Sequence, residues 1–185
     1  MEKIPTLQNI IDTKILNERK VFLWGQVDDK SAKHVIERLM YLELESPNTE
    51  IQLIINSPGG YVTSGFAIYD TMLSISSPIS TVCSGLAASM GSILLSAGAK
   101  GRRYILPHAK VMIHQPSGGA GGQASDIEIQ MEEIIKTKQI GAEILAENCG
   151  QTIEKIMKDF NRDYWMNAEE SINYGIIDST IERLF

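Results

Sequence analysis

The chain has 185 residues, 43% hydrophobic and 22% charged, a make-up that fits one globular domain and excludes a disordered or low-complexity chain. A formal net charge of -6 with no basic cluster argues against a nucleic-acid or anionic-membrane partner. Two cysteines without CxxC spacing and three scattered histidines argue against a disulfide framework and offer no metal site.

Lys20–Gly25 reads as a strand, after which Asp28 or Asp29 caps a helix running to about Glu45. Val35, Leu39 and Leu42 fall on its apolar side. Ser46–Thr49 is a turn and Ile51–Asn56 a buried strand. Ser57-Pro58-Gly59-Gly60 carries the type II turn signature, and a helix follows over about Val62–Ser74. Ile79–Cys83 reads as a strand, Gly85–Ala88 as a tight turn and Met90–Ser96 as an apolar helix.

Arg103–Leu106 and Lys110–Ile113 are short strands, the second running into His114 and the glycine-rich loop Ser117–Ala124. The pattern Ser125-Asp126-Ile127-Glu128 predicts a capping box that opens a long helix to about Asn148, ended by Gly150. A shorter helix starts at Thr152, a last one runs from Asn167 to Gly175, and Ile176–Ile181 is a final strand. This alternation, without linker or repeat, predicts an α/β fold with a single core. The start, MEKIPTLQNIIDTK, lacks the pattern of a signal peptide, so a reducing cytoplasm is expected. The uncharged run Ile79–Ala99 is long enough for a membrane span, but its Ser, Thr and Gly content opposes one.

Within that run, Ala87-Ala88-Ser89-Met90-Gly91 is small-x-Ser-x-Gly between a strand and a helix, the setting of a nucleophile elbow. Small neighbours let a substrate backbone approach the hydroxyl, and first-turn N–H groups stand ready for an oxyanion. The competing reading is a serine in a packing segment. A base is needed, and His114, at the carboxyl end of a strand, suits that role better than His34 on a solvated helix face or His108 in a turn. The third group stays open, with Asp163 one of several aspartates. The Gly59-Gly60 amides are candidates for a second oxyanion donor. Gly118–Gly122 lacks the Lys-Ser/Thr ending of a phosphate loop and suits an extended edge that pairs with a peptide.

SPGG, GLAASMGS, LPHAKVMIHQP, GGAGGQASDIEI and NRDYWMNAEES resemble the proteolytic subunit of the ATP-dependent caseinolytic (Clp) proteases, ClpP, in order and spacing from Val21 to Ile181. The resemblance implies a crotonase-like superhelix of ββα units forming a single domain over 1–185. An N-terminal segment would occupy 1–20, and residues 117–150 would form a protruding handle loop and helix. It implies a serine endopeptidase with Ser89 as nucleophile, His114 as base, Asp163 as orienting acid, and the Gly60 and Met90 amides as oxyanion hole. Arg162 is then a contact between rings. Two stacked heptameric rings would enclose unfolded protein substrates delivered by a separate AAA+ Clp ATPase. ATP is used by that partner, and this chain needs no cofactor or metal.

Two departures qualify the resemblance. Family tyrosines of the ATPase-docking pocket align with Gln52 and Ile54, and a phenylalanine aligns with Ser74; the segment before Val21 also differs. A mixed ring with a paralogue is therefore an alternative, with this chain a secondary or structural subunit. A crotonase-fold acyl-CoA enzyme is the other, and fluorophosphonate labelling of Ser89 against turnover of a CoA thioester separates it from a peptidase.

Overall fold

A computed structural model of the chain describes residues 6–184. Residues 1–5 of the expected N-terminal segment, and residue 185, lie outside the described part. In chain order come α1 (Leu7–Asn17), β1 (Lys20–Trp24), α2 (Asp29–Glu45), β2 (Ile51–Ser57), α3 (Val62–Ser74), β3 (Ile79–Ala88) and α4 (Met90–Ser96). There follow β4 (Arg103–Ile105), β5 (Lys110–Ile113), α5 (Ala124–Cys149), α6 (Ile153–Asp159), β6 (Tyr164–Met166), α7 (Ala168–Tyr174) and β7 (Ser179–Thr180).

Strands β1, β2, β3, β4 and β7 lie side by side in that order, all parallel. β5 pairs parallel with the far end of β3, and β6 pairs antiparallel with β5. Strands covered on both faces read as continuous apolar runs. That is why Ile51, Leu53, Ile54 and Ile55 of β2 are all fully buried. α2 turns Ala32, Val35, Leu39 and Leu42 inward, and its cap is Asp28, whose side chain accepts from the Ser31 N–H. One buried cluster joins β1 through β5 to α2 through α7. Among the described residues, no helix is long and apolar enough to cross a membrane.

Several expectations need correction. Gly85–Ala88 is not a turn, because β3 continues to Ala88 through an irregularity in its pairing with β2 between Ile55 and Ser57. The Asn56 side chain fills that irregularity, accepting from the Leu86 N–H at 3.2 Å, while Gly85 at φ +101° makes the bend. The capping box at Ser125 does not form. α5 starts two residues earlier, with Gln123 at its N-cap and no side-chain cap. Within the glycine-rich loop, Gly121 exchanges hydrogen bonds with the Gln130 carboxamide at 3.2 and 3.3 Å. The last strand shrinks to β7, and α1 and β6 are elements the sequence pattern did not announce.

Candidate active site

The far end of β3 delivers Ser89 into a backbone conformation of φ 54° and ψ -124°, at the N-cap of α4. Four bonds hold it there, one of them from the Ile93 N–H to Ser89 O at 3.3 Å. The Ser89 N–H donates to Met112 O of β5 at 2.9 Å, and Ser92 donates to Ser89 O through its N–H at 2.9 Å and its hydroxyl at 2.6 Å. Ala87 and Ala88 are buried, so the turn packs tightly while Ser89 stays half-exposed.

The Gly59–Gly60 turn lies against this elbow. A β-carbon on Gly59 would stand 2.7 Å from Ala88 O and 2.9 Å from Met90 N, closer than packing allows. Gly59 itself has φ +87°, the positive value that a type II turn requires. At Gly60 a β-carbon would meet Val27 O at 2.1 Å. Val27 bridges past Gly60, donating to Gly59 O and accepting from the Tyr61 N–H, so the Gly60 N–H stands outside that pairing. Met90 is the first residue of α4, where an N–H has no partner within the helix.

His114 follows β5 and Asp163 precedes β6, one step beyond Ile113–Tyr164, the end pair of the antiparallel ladder. Register therefore sets them face to face, and His114 Nδ1 lies 3.0 Å from Asp163 Oδ1. The His114 side chain is 25% exposed and that of Asp163 59%, so water reaches the pair. Ser89 and His114 line one cleft with Met90, Phe66, Ile93 and Phe160. Among the described residues no hydrogen bond joins Ser89 Oγ to His114, a link that in such sites tightens when substrate binds. His34 and His108 line no part of this cleft. Arg162 is exposed and makes no ion pair among the described residues.

The cysteines are poor rivals as nucleophiles. Burial pushes both thiols up to about 12, at Cys149 against a small opposing pull from Arg103. Neither forms a thiolate at neutral pH. Among the described residues, no cluster of His, Cys, Asp or Glu could hold a metal ion.

Sequence reasoning passed over Asn56, whose side chain sets the bend that aims Ser89. The available signal was a polar residue closing the apolar run IQLII. A family model of the Clp proteases matches residues 6–184. The seven helices and the mixed sheet of the described residues agree with the fold of its proteolytic subunits. With all but a few terminal residues covered, the chain belongs to the Clp protease family.

Proposed function

We propose that the chain is a serine endopeptidase in which Ser89 attacks, His114 moves the proton and Asp163 orients the imidazole. The observation that carries this reading is the His114–Asp163 hydrogen bond beside the strained Ser89 elbow. His114 Nε2 takes the Ser89 proton as Oγ adds to a peptide carbonyl, and returns it to the departing amine. The Gly60 and Met90 N–H groups hold the oxyanion while the C–N bond breaks. Water, deprotonated by His114, then clears the acyl-enzyme. Nothing in these steps calls for a metal or nucleotide in this chain.

Members of this family work as ring oligomers with Clp ATPases. The finer reading is a closed chamber of two stacked heptameric rings in the cytoplasm, fed with unfolded protein by an AAA+ ATPase. α5 supports it: Ile129, Met131 and Ile135 are 62%, 48% and 60% exposed on a helix that protrudes from the core. Arg162, beside Asp163, is the proposed contact between rings. Ser89→Ala is expected to lower peptide hydrolysis about 10⁴-fold or more while native mass spectrometry finds the assembly unchanged. Equal cleavage of a fluorogenic peptide by both proteins would overturn the assignment.

A further inference from the structure

We infer that Gln115 is a positioning residue that sets the Asp163 carboxylate against His114; the inference rests on the peptidase reading above. The ladder between β5 and β6 ends at Ile113–Tyr164, so regular pairing does not hold the residues that precede Asp163. Gln115 takes over from the ladder. Its backbone N–H donates to Phe160 O at 2.5 Å. Its side-chain Nε2 donates to Asn161 O at 2.9 Å and reaches Asn161 Oδ1 at 3.5 Å.

These contacts matter because of where their ends lie. Gln115 is joined covalently to His114, while Asn161 is two residues from Asp163. α6 ends at Asp159, so the chain from Phe160 to Asp163 is free of helix and strand. Asn161, Arg162 and Asp163 are all exposed, and no core packing fixes them. Phe160, by contrast, is 1% exposed and lines the cleft with Ser89 and His114. The Gln115 backbone thus anchors the buried start of the segment, and its carboxamide anchors the next residue toward Asp163. Without the carboxamide the exposed carboxylate has more positions available, and the imidazole is oriented for a smaller part of the time.

The test uses Gln115→Met, which keeps the length of the side chain and removes the donors, and Gln115→Glu, which keeps its shape. Both should lower kcat on a fluorogenic peptide by about 10-fold to 100-fold, with KM changed less than about threefold. The discriminating measurement is the rate of Ser89 labelling by a fluorophosphonate in wild-type and Asp163→Ala backgrounds. A residue that acts through Asp163 has nothing further to lose once the carboxylate is gone. Gln115→Met should therefore slow labelling in the first background and leave the second unchanged. Equal slowing in both backgrounds, or wild-type kcat in both variants, would overturn the inference. A wild-type chain without Ser89-dependent hydrolysis would instead overturn the peptidase reading itself.

Discussion

At φ 54° and ψ -124°, Ser89 occupies backbone space that a side chain with a β-carbon rarely adopts. Such positions cost on the order of 1–3 kcal/mol and persist where the surroundings impose them. Here the imposing contacts are the Met112 carbonyl, the two Ser92 donors and the Gly59 turn pressed against Ala88. Two variants, both without the Ser89 hydroxyl, separate strain from chemistry. Ser89→Ala removes the hydroxyl and keeps the strain, whereas Ser89→Gly removes both. Ser89→Gly is therefore expected to melt above Ser89→Ala, by roughly 2–4 °C for each kcal/mol relieved in a chain of this size. Scanning calorimetry on matched assemblies measures it. An Ala variant as stable as the Gly variant would mean that the elbow stores no strain.

Connections between elements rely on charged side chains where the sequence supplies no glycine cap. Arg19 donates to Leu42 O, Ser46 O, Thr49 O and Glu50 O at 3.0–3.2 Å, closing the end of α2 and the turn that leads into β2. Glu43 ties the same helix to the turn before β3, accepting from the Ser76 and Ser77 N–H groups at 3.1 and 3.0 Å and from the Ser76 hydroxyl. Those donors, the serine contacts foremost, hold the Glu43 carboxyl down to about 2. A carboxylate whose folded pKa lies below its ordinary value stabilises the fold above that ordinary value and ceases to do so as pH falls through the folded one. The stability gap between wild type and Glu43→Gln should thus be full at pH 5–7 and close between about 4.5 and about 2. Urea titrations at stepped pH test this, and a gap independent of pH would refute it. What the sequence revealed at this scale follows the same physics. The elements around Ser89, His114 and the glycine turn were legible because small residues, prolines and apolar runs act locally. β6, which fixes Asp163, was not: Tyr164 and Trp165 are exposed, and only the pairing with β5 makes the segment a strand. The bend in β3 was also hidden, since it depends on Asn56 reaching across from β2.

For the whole molecule, the outward faces decide what assembles. α5 exposes the apolar residues Ile129, Met131 and Ile135, while the resemblance to the Clp proteolytic subunits implies aromatic residues where this chain has Gln52, Ile54 and Ser74. Ile54 is fully buried in β2, so it presents nothing to a partner. Gln52 is half-buried, and its Oε1 has no hydrogen-bond partner among the described residues. Ser74, at the end of α3, is exposed and donates back to Thr71 O at 3.0 Å. Aromatic anchors dominate contacts of this kind because each buries a large area at small entropic cost. On that resemblance Gln52 and Ser74 leave a more polar surface, while the proposed Ser89, His114 and Asp163 set has every member present. The resulting proposal is a subunit that cuts peptides and leaves ATPase docking to a paralogous ring of the same assembly. An ATPase whose loop has changed to match the smaller pocket is the competing account. Surface-immobilised homo-oligomer should then bind the host's Clp ATPases at least about 10-fold more weakly than an assembly containing the paralogue, a difference of about 1.4 kcal/mol. Peptidase activity on short fluorogenic peptides should be similar in both, since such substrates need no unfolding. Tight ATPase binding by the homo-oligomer alone would refute the mixed assembly and support the altered loop.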